Sequence, residues 1–341
     1  MPVGSARATV VALTVMFSAA VAVAAVAAVG PHAASASTAS SATAWVASGA
    51  SVTDPGATLT PVNLATRQVG PAVHAGTLPS AMAFTPDGRT LLAVSQGTDK
   101  LHDINVAADK DVRSVRVGVE PDAVAVTPVG LNHIAYALVA NLSTNSVSVV
   151  NLTTWRVTKT IPVGTEPVAI AVAATGAHNW VAFVADFGSN NVTPISSSGL
   201  HVGPPIAVGS EPETVATYGE SVLVGNFGDS TVTPISADTM QASAAIALPL
   251  NPTDIVVSEH QPEAYISGSS SIVPLDITTQ AVGTPIPVPS PAEGLALASH
   301  DSVAWVTLQG RALVPVTLAT GKIGHSIRLH GHPTAIVIGP G

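Results

Sequence analysis

The sequence predicts an all-β protein, a seven-bladed β-propeller with four antiparallel strands per blade, and three observations predict it. A turn of the Val-Gly-x-Glu-Pro type recurs at Pro79, Pro121, Pro167, Pro212, Pro252, Ala292 and Pro333, with a period of 40 to 46 residues. That is the length of four short strands and their turns. Within one period, residues 135–172, three runs rich in Val, Ile and Thr are separated by Asn/Ser/Thr/Gly clusters, and a fourth apolar run follows VGTEP; this is the alternation of strands with tight turns. Finally, the first strand of the series has no inner strand before it and the last has no partner after it, so the two ends complete one blade.

Taken in order, the chain opens with residues 1–36, read as a secretory signal. Residues 8–29 carry no charge and are mostly Ala and Val, Arg7 precedes them, and Ala34-Ser35-Ala36 offers an Ala-x-Ala cleavage site. The same run is long enough to span a bilayer, so an uncleaved anchor is the alternative. Either way the remainder is expected outside the cytoplasm, secreted or at the cell surface. Residues 37–43 read as a disordered Ser/Thr/Ala tether, and 44–341 as the propeller.

After each turn comes an inner strand, A, expected at 81–84, 123–126, 169–172, 214–217, 254–257, 294–297 and 335–338. Residues two and four places after the turn are mostly small (Ala83, Ala125, Ala171, Ala216), and those between are bulky (Met82, Val124, Ile170, Leu295). Strand period two puts them on opposite faces, and a small face against a bulky one suits sheets crowded about an axis. The second strand, B, is expected at 45–48, 91–95, 135–139, 181–185, 221–225, 264–267 and 303–307. Three strands from the amino end and one from the carboxyl end would then lock the ring and remove its exposed edges.

Residues 117–176, with VGVEPDAVAVTP, AYALVAN, NSVSVVNLTT and VTKTIPVGTEP, resemble the YVTN family of β-propeller repeats, and the likeness extends more weakly from Trp45 to the end. The resemblance implies a surface or secreted repeat protein of prokaryotic type and transfers no active-site residue. Two blades depart from it with Pro in the third strand, NVTPIS and TVTPIS, which predicts an irregular edge there.

The chain has no cysteine, which excludes disulfides and thiolate chemistry. Its formal charge of −9 argues against nucleic acid as a partner. Antiparallel connectivity puts the B–C and D–A turns at one end of the ring, here called the front, and the A–B and C–D turns at the back. The front collects Asp54, Asp99, Glu120, Asp122, Glu166, Asp186, Glu211, Glu213, Asp229, Asp254 and Glu293, 11 of the 21 acidic residues. Only Lys100 and Arg311 join them, whereas Arg67, Arg89, Lys110 and Arg156 fall at the back or on outer strands.

The candidate ligand-binding set borders the channel mouth: Glu120, Asp122, Glu166, Glu211, Glu213, Asp254 and Glu293. Such a rim attracts cations or a basic partner surface, and its hard oxygen ligands suit calcium; the competing reading is solvated turn residues. Asp254, where other blades carry Ala, Thr or Gly, needs a partner or caps its own turn at Asn251-Pro252-Thr253. His133, His178, His260 and His300 sit in back turns, on four different blades, and read as exposed polar residues. His332 stands where other blades carry Glu. No phosphate cradle, nucleophile elbow or zinc helix is present. The expectation is a binding or scaffold module, monomeric, for an unknown protein or a small cationic ligand. The alternative is a propeller enzyme, since seven-bladed propellers like this one include lactonases and lyases that hold a divalent cation at the channel.

Overall fold

A computed structural model describes residues 42–49, 58–129, 135–176, 178–298 and 301–339. The expected signal segment, most of the tether, Asp54, His133 and His300 lie outside them. The described residues form seven antiparallel sheets, each running A-B-C-D from the axis outward.

Blade 1 comprises Pro79–Phe84, Thr90–Ser95, Lys100–Asn105 and Lys110–Arg116, and blade 2 Pro121–Val126, Tyr136–Asn141, Ser146–Asn151 and Arg156–Pro162. Blades 3 to 6 have inner strands Pro167–Ala174, Pro212–Tyr218, Asp254–Val257 and Ala292–Leu297. Blade 7 closes the ring as expected. Its inner strand is Pro333–Ile338, and Thr43–Ser48, Thr58–Asn63 and Val73–His74 follow from the other end of the chain, with Trp45 opposite Val337 and Val46 opposite Ile336.

Strand A begins two residues earlier than expected in every blade except blade 5. The reason is a bulge: Pro121 pairs with Asn141 but Ala123 pairs with Ala140, so Asp122 is an extra residue in the inner strand. The same shift follows Pro79, Pro167, Pro212 and Ala292. A bulge leaves one residue outside the ladder and re-aims its side chain, which matters for the channel.

The small-against-bulky expectation describes the core. Ala123 and Ala125 of blade 2 pack on Ile170 and Val172 of blade 3, and Ala81 and Ala83 of blade 1 on Val124 and Val126 of blade 2. Each apolar cluster joins one blade to the next, around to Ala335 and Val337 of blade 7 against Met82 of blade 1. Burial of this kind stabilises by about 25 cal/mol per Å², and here all of it acts between blades.

Five blades carry Pro at the fourth position of strand C: Pro61, Pro194, Pro234, Pro274 and Pro315. In all five the outer strand is cut to pieces of two residues or bridges, whereas blades 1 and 2, without that Pro, have outer strands of 7 residues. The Pro carbonyl accepts from the outer segment, as in Gly203 N to Pro194 O at 2.9 Å. A strand residue directs its N–H and C=O to the same side, so the missing N–H also faces strand D and the B–C ladder is spared. Gly70, Gly203, Gly283 and Gly324 lie over the proline rings, where a Cβ would come within 2.7 to 3.1 Å of the ring.

Converting Val149, the equivalent position in blade 2, to Pro is expected to split Arg156–Pro162 at a cost of about 1–2 kcal/mol, one ladder bond and its strain. Amide exchange should accelerate in that strand and stay slow in Tyr136–Asn141; equal acceleration in both would overturn the explanation.

Candidate functional site

The seven carboxylates named from the sequence occupy three levels, set by their distance from the turn. Glu120, Glu166 and Glu211 precede the proline and have left-handed backbones, with φ of 52°, 54° and 53°. Their N–H groups donate to the preceding blade, Glu120 to Asp99 Oδ1 at 3.1 Å, Glu166 to Asn145 Oδ1 at 2.9 Å and Glu211 to Asn190 Oδ1 at 2.8 Å. Their carbonyls accept from Leu142, Phe187 and Phe227 of their own blade. The acceptor residues are also left-handed, a conformation that Asn and Asp tolerate best. These turns therefore stitch consecutive blades together through the backbone, and the Glu side chains are left for other uses. Glu120 and Glu166 are exposed, Glu211 is half-buried, and Glu120 accepts from the Ser143 hydroxyl.

The residue after the turn is the bulge residue. Outside blade 5, which has no bulge, these are Ser80, Asp122, Val168, Glu213, Glu293 and Thr334; Thr253 takes the same place in blade 5. Ser80 Oγ donates to Pro121 O at 2.8 Å and Thr334 Oγ1 to Pro79 O at 2.9 Å, each to the next blade. Asp122 accepts from Gln96 Nε2 of blade 1. Burial pushes the Asp122 carboxyl up to about 7, against the lowering effect of Gln96 and with a further push from Glu120. Glu213 is raised well above the ordinary range by burial, then by the charges of Asp122 and Glu211. Asp122 and Glu213 belong to blades 2 and 4, so they act on each other across the axis. Glu293 is raised by burial, opposed by His332.

Asp254, two places after the turn, is fully buried. Its Oδ2 accepts from Leu295 N of blade 6 at 2.9 Å, so it caps the neighbouring inner strand rather than its own turn. Asn251 instead donates to Phe227 O at 2.6 Å. Burial raises the Asp254 carboxyl to about 7, opposed by the Leu295 and Ile255 amides.

Among the described residues no group of three His, Asp or Glu is placed to hold a metal ion. His260 is not simply a solvated turn residue: its Nδ1 lies 2.9 Å from Asp301 Oδ2, which also accepts from Ser258 Oγ at 2.7 Å, joining blades 5 and 6 at the back. His332 Nε2 lies 3.1 Å from Arg311. The front also holds Arg116, 3.0 Å from Asp99, in addition to the expected Lys100 and Arg311.

Two grooves, of about 270 and 460 Å³, lie away from the mouth, each between the broken outer strand of one blade and the C–D turn of the next. Pro234 and Ser243 face Ile277 and Gln280 in one, and Pro315 and Gly324 face Leu64 and Arg67 in the other.

The charge asymmetry runs around the ring more than along its axis. Residues 160–310, most of blades 3 to 6, hold 13 acidic residues and no Lys or Arg. Seven of the acids are at the front, and Glu220, Asp238, Glu259, Glu263, Asp276 and Asp301 are at the back. This stretch is plain in the sequence, but a division of the acids between the two ends of the ring does not reveal it. Sequence order does not show Gln96 at the site, nor the part that Asp186, expected only as a front acid, plays at its blade joint. Gln96, which holds Asp122, gave no sequence signal. Asp186 did: it stands at the end of strand B where blades 2 and 4 have Asn141 and Asn226.

No protein-family model matches the chain, and no curated protein resembles it in sequence. Solved structures do resemble it in fold. A functionally unknown protein from Desulfotomaculum acetoxidans matches with a TM-score of 0.74 at 15% identity, covering 87% of this chain and 98% of that one. A candidate 6-phosphogluconolactonase from Bacteroides uniformis matches with a TM-score of 0.69 at 14% identity over 87% and 99%. Hydrazine synthase of Kuenenia stuttgartiensis matches with a TM-score of 0.67 at 17% identity over 76% and 89%. At such identities the likeness carries the propeller fold and nothing about chemistry.

Proposed function

We propose that the protein is an extracytoplasmic propeller of the YVTN type that serves as a binding module, and that its front end takes a cationic ligand or a basic partner surface. One observation carries this reading: Glu120, Glu166 and Glu211 sit on three consecutive blade joints whose backbone bonds are already satisfied, beside a 151-residue stretch with no Lys or Arg. Their carboxylates are not needed for the joint and no Lys or Arg of blades 3 to 5 neutralises Glu166 and Glu211, while Arg116 stands on Asp99 at the Glu120 joint; the field of the uncompensated pair acts on whatever approaches. The charge-free run at residues 8–29 supports placement outside the cytoplasm.

The test uses the purified chain and pentalysine as probe. At low salt the E120Q/E166Q/E211Q variant is expected to bind at least ~10-fold more weakly than the parent, with unchanged thermal stability, and the difference should shrink at ~0.15 M salt as screening sets in. Equal binding by variant and parent would remove the front end as the site.

A further inference from the structure

The two grooves at the back are the same place in two blades, and they differ in charge. In the smaller, Leu223 pairs with Pro234 and Ser243 N donates to Pro234 O at 2.8 Å; in the larger, Trp305 pairs with Pro315 and Gly324 N donates to Pro315 O at 2.8 Å. The C–D turn of the next blade completes each groove, with Gln280 in one and Arg67 in the other, both left-handed at φ of 60° and 61°. Asp276 opens the first of these turns and Asn63 the second, each accepting from the two amides that follow. Glu220 and Ser302 match as well, their carbonyls accepting from Ala237 N and Leu318 N. Among the described residues, the smaller groove is thus rimmed by two carboxylates, and the larger by a guanidinium and no carboxylate.

Nothing beside the larger groove neutralises Arg67. Residues 55–86 and 302–341, which supply both of its walls, hold no Asp or Glu. Asp301, next to Ser302, is turned to blade 5, where its Oδ2 accepts from Ser258 Oγ at 2.7 Å and lies 2.9 Å from His260 Nδ1. Arg67 makes no ion pair among the described residues, and Lys322, close to Gly324, is exposed and adds the same sign.

The groove is also within reach of a ligand. Arg67, Ser302 and Gly324 are exposed, and Leu64, Val303 and Pro315 are partly exposed above Trp305. Its volume of about 460 Å³ falls in the range of small-molecule sites, and apolar walls with a single charged group are their usual make-up. An inorganic anion would gain nothing from the walls, whereas a guanidinium fork matches a carboxylate in two parallel hydrogen bonds.

We infer that the groove between blades 6 and 7 binds a small aliphatic carboxylate, with its head group on Arg67 and its alkyl body on Leu64, Val303, Pro315 and Trp305. The site is separate from the acidic front end, and neither depends on the other.

Calorimetric titration of the full chain with decanoate below its micellar range, with butyrate and with decyltrimethylammonium, all at matched ionic strength, tests it. Decanoate is expected to bind at least ~10-fold more tightly than butyrate, since each added methylene finds apolar surface. It should exceed decyltrimethylammonium, of the same body and opposite charge, by at least ~10-fold as well. Tryptophan fluorescence should change on binding, and W305F should abolish that change while calorimetric binding persists. R67Q and S302E each fall at an exposed position, and R67Q installs the residue that the smaller groove holds at the same φ; both are therefore expected to keep the thermal transition of the parent. Each should weaken decanoate at least ~5-fold and leave decyltrimethylammonium no weaker. Unchanged decanoate binding in R67Q would overturn the inference, as would a preference for decyltrimethylammonium or no binding of decanoate. E120Q/E166Q/E211Q should bind decanoate as the parent does, so the pentalysine and decanoate results judge the two sites separately.

Discussion

A chain ending at residue 331 is expected to unfold at a markedly lower temperature than the full protein and to self-associate. The deleted strand, Pro333–Ile338, is the whole inner strand of blade 7, and its Ala335, Ile336 and Val337 are 0 to 2% exposed. Without it, Ala296 and Trp305 of blade 6 lose the bulky face they pack on, and Met82 of blade 1 loses the small face that covers it. Thr43–Ser48 becomes a bare sheet edge, which templates pairing with other chains. Each large apolar side chain uncovered costs about 1.5–3 kcal/mol, and a chain of this size loses about 2–4 °C per kcal/mol. The transition temperature should therefore fall by more than ~10 °C in calorimetry, with dimers or larger species in size-exclusion chromatography. Adding the 333–341 peptide should restore part of the loss. An unchanged transition in a monomeric truncated chain would show that ring closure does not hold this propeller together.

Replacing Asp186 with Asn is expected to stabilise the protein at pH 8 and to change little at pH 4. In blade 2, Asn141 Oδ1 accepts from Gly118 N at 2.9 Å, and its Nδ2 donates to Ser148 Oγ at 3.1 Å. In blade 3 the same place holds a fully buried carboxyl whose Oδ2 accepts from Thr193 Oγ1 at 2.6 Å, while Oδ1 has no partner. Burial pushes this carboxyl up to about 7, opposed by its bonds to Thr193 and Gly164. The folded state thus holds the proton more tightly than the unfolded chain, whose carboxyl titrates near 3.8. The sign follows: the stability tied to that proton is full below pH ~4 and is lost as pH rises through about 7. An amide carries no such proton and supplies the donor that Thr193 can accept. With one pKa unit worth about 1.4 kcal/mol, the gain at pH 8 is on the order of a few kcal/mol, or several degrees. Asp122, Asp254 and Glu213, also raised by burial, leave a residual decline with pH in the variant. Equal effects of the substitution at pH 4 and pH 8 would show that the carboxyl is ionised throughout.

Much of this architecture was legible in the chain because repetition multiplies a weak signal. One alternation of Val and Thr says little, but seven turns at a near-constant spacing, each followed by small and bulky residues in alternation, define the inner strand and its two faces. The broken outer edges were legible too. Pro194 and Pro234 lack an N–H wherever they sit, and in a third strand the ladder that can do without that group is the one to the outer strand.

The candidate site was legible as a list and not as a place. Glu120, Asp122 and Asp254 are all acidic residues close to a turn proline, and nothing in their order says that the first lies at a blade joint, the second in the channel and the third against the next blade. A bulge separates them, and a bulge depends on how the inner strand meets strand B, not on its own residues. Asp186 shows the converse: its departure from Asn141 and Asn226 is a sequence fact, yet its cost arises only from burial.

By itself the sequence determined the number of blades, the closure of the ring by its two ends, the small and bulky faces and the strands that carry proline, because each follows from periodicity or from the covalent structure of one residue. Only the tertiary structure decided which carboxylates are buried beside the axis, which accept from the neighbouring blade and which stay exposed at the blade joints. Those outcomes depend on contacts between residues some 40 positions apart, as between Asp254 and Leu295, and on the removal of water from between them.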